Sequence, residues 1–168
     1  MKKTLITATV AILAILSSMN ANAQNEIKEG EMFRDFTVQQ DPSDPNSKAS
    51  LSDYVGKGKW VVADFWASWC GWCIKEIPYL KSINNDFPKD KVIVLSIAIN
   101  DRPEDTRAAA AKHGVNWAQI INTKDVAVKL YGIRGIPYTV VFNPQGRVAA
   151  IGLRGENLYK FVKLVVEN

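Results

Sequence analysis

Trp66–Leu80 reads WASWCGWCIKEIPYL and holds both cysteines of the chain, Cys70 and Cys73, with two residues between them. Three chemistries fit such a pair: a structural staple, part of a metal site, or a dithiol that exchanges electrons. The flanking pattern bears on the choice. Trp60–Trp66 (WVVADFW) is a nearly unbroken apolar run rich in Val and aromatics, as in a strand buried on both faces. From Gly71 to about Phe87 the pattern turns helical, with Ile74, Ile77, Leu80, Ile83 and Phe87 recurring at spacings of three and four. Cys70 therefore falls where a buried strand gives way to a helix. The first-turn N–H groups of a helix have no internal partner and its dipole is positive there. A thiolate at Cys70 is stabilised by that position, which lowers its pKa below the free value of about 8.5 and makes it the attacking nucleophile. Cys73 faces the same side, at a helical Cα separation of roughly 5 Å that a disulfide accepts.

The competing chemistries fit less well. A staple closing so short a loop constrains the unfolded chain little. A structural zinc site needs four ligands, and the chain offers one histidine, His113, and no third cysteine. His113 falls near a helix end and reads as a solvated surface residue. A thiol peroxidase would need a peroxidatic cysteine in a different local setting, and a non-enzymatic binding module would not need the thiols at all. Thiol–disulfide exchange is the reading that the placement favours.

Working outward, Phe36–Gln40 and Lys48–Tyr54 read as two short strands around the loop DPSDPNS, preceded by a polar, extended lead-in over 24–35. Lys91–Ile99 is a second buried strand. Arg102–Gly114 is a helix opening with Pro103 and closing on Gly114. Trp117–Ile121 reads as a short strand and Thr123–Gly132 as a helix. YTVVFN and RVAAIG form a hairpin through NPQG, and NLYKFVKLVVEN is a closing helix. Strands alternating with helices, then a hairpin and a last helix, predict an α/β sandwich around a mixed sheet, with the lead-in hairpin adding strands at one edge.

The N-terminus orders a basic start (Lys2, Lys3), an apolar run (Leu5–Leu16) and Ala21-Asn22-Ala23. That is the order of a secretory signal peptide over residues 1–23, with cleavage expected after Ala23; a retained anchor is the alternative. The remaining residues, 24–168, suffice for one domain with a core. Losing Lys2 and Lys3 lowers the formal net charge from +4 to +2, without a basic cluster, so a nucleic-acid partner has no electrostatic footprint.

The segment VVADFWASWCGWC resembles the active-site segment of the thioredoxin superfamily, and LYGIRGIPYTVVFNPQGRVAAIG resembles the segment carrying its cis-proline and final hairpin. The lead-in and the extra strand–helix unit before Gly114 resemble the TlpA/ResA-like branch of exported thiol–disulfide oxidoreductases. The resemblance implies a thioredoxin-like α/β fold: a central mixed β-sheet flanked by helices, with an N-terminal β-hairpin extension and an inserted strand–helix unit. It implies Cys70 as nucleophile, Cys73 as resolving cysteine, and a cis Ile136–Pro137 bond whose Ile136 backbone pairs with the bound substrate chain. It matches Asp64 to a carboxylate buried beneath the disulfide, where desolvation raises its pKa, and Glu76 to the acid of CxxCxxExP, within reach of the pair. Pro78 matches the branch's helix-kinking proline. Trp72 and Tyr138 stand where Pro and Thr are common in the family and would shape the substrate groove. Trp69 would flank the site, and Trp66 would be core.

The implied activity is periplasmic reduction of protein disulfides, as in cytochrome c biogenesis or cell-wall enzyme maintenance. The oxidase or isomerase direction and a thiol peroxidase are the alternatives. The implied partners are a disulfide-containing protein substrate and a CcdA- or DsbD-like membrane electron donor, acting on a monomer without organic cofactor or metal.

Overall fold

A computed structural model describes residues 26–168; the expected signal peptide lies outside the described residues. The chain orders as β1 (Thr37–Gln39), β2 (Lys48–Ser50), β3 (Trp60–Trp66), α1 (Gly71–Asp86), β4 (Val92–Ala98), α2 (Pro103–His113), β5 (Ala118–Ile120), α3 (Val126–Tyr131), β6 (Tyr138–Phe142), β7 (Val148–Ile151) and α4 (Gly155–Glu167). Five strands form one sheet in the order β5-β4-β3-β6-β7. β3 pairs in parallel with β4 and β4 with β5, while β6 runs antiparallel to both β3 and β7. This is the thioredoxin-like mixed sheet, with β5 at one edge and β7 at the other.

β3 is central because it is apolar on both sides. Val62 and Trp66 face one layer, and Val61, Ala63 and Phe65 the other; all five are 1% exposed or less. Val62 packs with Leu80 and Ile83 of α1 and with Leu158, Val162 and Val166 of α4. On the opposite face Phe65, Ile97 and Phe142 pack with Ala127 and Tyr131 of α3 and with Ile27, Phe36, Val38, Ala49 and Leu51 of the N-terminal extension. The hairpin turn between β6 and β7 needs glycine at Gly146, where φ is +85° and a Cβ would lie 2.9 Å from the Phe33 ring.

Three expectations are corrected. The second lead-in strand ends at Ser50 rather than Tyr54, and Leu51–Asp53 form a single 3-10 turn. The Asp53 carboxylate accepts the Ser50 N–H at 2.7 Å, and the Tyr54 and Val55 amides donate to Leu51. A local side-chain acceptor here outcompetes the sheet ladder. Nor do β1 and β2 extend the main sheet: they form a separate two-stranded sheet, whose Val38 and Ala49 turn into the core instead. His113, the last residue of α2, is half-buried rather than fully solvated.

Tyr131 fastens the lead-in to this core. Its hydroxyl accepts the Arg34 N–H and donates to the Arg34 carbonyl, both at 3.0 Å. Tyr131→Phe removes both bonds without emptying the space. It is expected to cost about 1–2 kcal/mol in chemical denaturation, with the disulfide chemistry retained.

Candidate redox site

Cys70 and Cys73 form a disulfide with Cα atoms 5.2 Å apart. Cys70 is the N-cap residue of α1, and its Sγ accepts the Cys73 N–H at 3.1 Å. A helix that starts on a sulfur satisfies one of its orphan amides with that sulfur. Cys70 is 6% exposed and Cys73 1%, so both residues are buried, Cys70 slightly less so. They cluster with Trp66, Ala67, Ile77 and Ala110 of α2, and with the edge of Ile136. The Ile136–Pro137 bond is cis, and Pro137 is buried. Sequence positions 66 residues apart are thereby brought to one place.

The segment before the disulfide is held from outside. Asp101, after β4, accepts the Ser68 N–H at 2.7 Å and the Ser68 hydroxyl at 2.9 Å. Trp69 Nε1 donates to the Asn100 carbonyl at 3.2 Å. Trp69 and Trp72 are nonetheless 64% and 70% exposed, while Trp66 is core. Two largely exposed indoles thus flank the cysteines. Lys75 sits 4.0 Å from the Trp72 ring centroid, a cation–π contact that steadies an otherwise free side chain. Tyr138 is half-buried at the start of β6, with its ring edge on Phe65, 6.0 Å between centroids.

Asp64 lies in the middle of β3, 2% exposed. Its register partners are Ser96 on β4 and Thr139 on β6. By strand alternation it shares the face of Val62 and Trp66, the face that α1 covers. Burial pushes its pKa up to about 7, with the Glu76 charge as the second cause. Glu76, one turn after Cys73, is half-buried, and its Oε2 accepts the Gly155 N–H at 2.7 Å. The acid therefore joins α1 to the start of α4 while acting on Asp64 through space. Pro78 lies inside α1, which runs unbroken to Asp86.

The sequence pattern does not single out Asp101, Asn100, Thr139 or Arg154, all of which touch the site's frame. Their contacts join segments about 15 to 75 residues apart, so no local motif marks them. Among the described residues no group of three or more His, Cys, Asp and Glu side chains could hold a metal ion.

Residues 30–151 match the AhpC/TSA family. The chain belongs to the AhpC/TSA family. Among its relatives, the thiol–disulfide oxidoreductase ResA of Bacillus subtilis is 26% identical over 89% of this chain and 85% of its own. The ResA of Geobacillus thermodenitrificans is 28% identical over 88% of this chain and 86% of its own. Among solved structures, the thioredoxin domain of a thiol-disulfide oxidoreductase from Bacteroides vulgatus superposes with a TM-score of 0.72 at 31% identity, covering 84% of this chain and 99% of that one. This AhpC/TSA member is a redox enzyme of the thiol–disulfide oxidoreductase kind.

The raised pKa of Asp64 has a consequence for stability. The fold keeps the proton up to about pH 7, whereas the unfolded chain releases it near the ordinary value of 3.8. Between those values the fold binds more protons, so this group's contribution makes stability fall as pH rises through the window. Asp64→Asn in the oxidised protein is expected to flatten that slope. It should also raise stability at pH 8 by roughly 2–4 kcal/mol, measured by denaturant titration across pH 4–8.

Proposed function

We propose that this protein is an exported reductase of protein disulfides. The observation that carries the reading is the Cys70–Cys73 disulfide at the start of α1, with Cys70 as the N-cap residue, beside Ile136 and on the sheet face that buries Asp64. In the dithiol form the Cys70 thiolate attacks one sulfur of a substrate disulfide. The substrate S–S bond breaks, a mixed disulfide forms, and the departing thiolate takes up a proton. Cys73 then gives its proton to the Asp64 carboxylate and attacks the Cys70 sulfur. The Cys70–Cys73 bond forms, the mixed disulfide breaks, the second substrate sulfur leaves as a thiolate and takes up a proton, and two electrons have passed from enzyme to substrate. A group titrating near 7 is matched to that transfer at neutral pH, since it is present in both forms.

The Asp64–Glu76 acidity on the face that α1 covers supports the reducing direction. A negative charge at Asp64 or Glu76 disfavours thiolates, so the dithiol is not held back by over-stabilised sulfur anions. Trp69 and Trp72 offer apolar faces to a substrate segment, and the Ile136 backbone offers it strand-like pairing. The N-terminal order of basic, apolar and A-x-A residues supports export, with the mature chain starting at Gln24. An oxidising compartment would then require a CcdA- or DsbD-like membrane donor to return the electrons.

Trapping tests this reading. Cys73→Ser is expected to attack but not resolve. It should accumulate a covalent complex with an oxidised protein substrate that survives denaturation and dissolves with added dithiol. Cys70→Ser is expected to lose disulfide reduction by roughly 10³-fold or more. In the reduced wild-type protein, an alkylating reagent near neutral pH should label Cys70 before Cys73. Equal labelling with no trapped complex would overturn the exchange reading, and consumption of peroxide in preference to disulfides would replace it with a peroxidase.

A further inference from the structure

The turn between β7 and α4 touches three separate parts of the site's frame. The Gly152 N–H donates to the Thr139 carbonyl on β6 at 2.7 Å. The Gly155 N–H donates to Glu76 Oε2 on α1, also at 2.7 Å. The Arg154 guanidinium donates to the carbonyl oxygen of Pro137. Gly155 starts α4 with φ at +55°, and a Cβ there would lie 3.7 Å from the Tyr79 ring. That left-handed conformation suits glycine and lets the amide at the start of α4 meet the carboxylate of α1. The helix bearing the cysteines and the loop bearing Ile136 and Pro137 are consecutive neither in sequence nor in the sheet. One four-residue turn holds both.

We propose that Arg154 is a positioning residue for protein substrates: by holding the Pro137 carbonyl against the turn that Glu76 ties to α1, it sets the place of the Ile136 backbone relative to the Cys70–Cys73 pair. This rests on the oxidoreductase reading. Glu76 and Gly155 fix only α1 to α4. The Gly152 amide ties the turn to β6 at Thr139, and Arg154 reaches the loop itself by a charge-assisted bond to a backbone oxygen. A carbonyl held in this way fixes the Pro137–Tyr138 peptide unit, and through the proline ring the position of the preceding Ile136, whose backbone groups would align an extended substrate segment over the disulfide. A small disulfide has no such segment. Its reduction depends on the sulfurs alone.

The test compares Arg154→Met, which keeps the aliphatic stem and removes the donor, with Arg154→Lys, which keeps a cationic donor. Each reduced enzyme is assayed on oxidised insulin and on a small aromatic disulfide, and the Ile136 and Tyr138 amide resonances are recorded in the oxidised form. For R154M the expected result is a KM for insulin about tenfold higher with kcat within about twofold of wild type, and a small-disulfide rate within about twofold. Both amides should shift in R154M and return toward wild type in R154K, together with most of the lost affinity. An unchanged insulin KM with unmoved amides would overturn the proposal. So would an equal loss on both substrates, since Arg154 would then act on the sulfur chemistry itself. If the wild-type enzyme reduces neither substrate, the oxidoreductase reading fails, while unmoved amides in R154M would by themselves refute the positioning role.

Discussion

A strand that is paired on both edges and buried on both faces cannot shift without breaking the sheet and two apolar layers at once. β3 is such a strand. Its carboxyl end is therefore among the best-fixed points of the molecule, and the chain leaves it through Ala67–Trp69 directly into α1. Cys70 inherits that fixity. The outer half of the site, comprising Ser68 on Asp101 and Ile136 against the disulfide cluster, is then arranged around a point that does not move. A disulfide that opens and closes needs this frame, because the two sulfurs must return to bonding distance each time without rearranging the fold.

The same burial sets the protonation of Asp64. An ionised carboxylate within an apolar layer is strongly disfavoured, so desolvation drives its pKa up to about 7, and the neighbouring Glu76 charge adds to the effect. The fold sacrifices some stability at neutral and alkaline pH to keep an acid there. Functional sites are where such local costs are expected to be found. Glu76 has a second function in the frame, since its carboxylate also terminates the first amide of α4.

Most of the fold was legible because its long elements carry strong periodicity. β3, α1, β4, α2 and the β6–β7 hairpin follow from apolar runs, from three–four spacing and from Pro and Gly punctuation. The site's centre was legible for a different reason: Cys70, Cys73 and Pro137 belong to motifs that a resemblance can match residue by residue. Short elements were less so. Three-residue strands such as β1 and β2 carry too little alternation to reveal which sheet they join, and Asp53 turns the chain after Ser50 through a bond that propensity alone does not register. Arg154 and Asp101 act on backbone atoms across large sequence separations. Side chains that recognise a carbonyl or an amide leave no pattern in the sequence, since every residue supplies the same partner.

The direction of electron flow is the central claim, and the reduction potential of the Cys70–Cys73 pair tests it most directly. Equilibration of the protein with a dithiol buffer of known potential, read by the fraction of alkylated cysteines, gives the value. A protein-disulfide reductase is expected near about −270 mV, in the range of thioredoxin. A value near about −120 mV, that of a strong oxidant whose reduced form is stabilised, would contradict it.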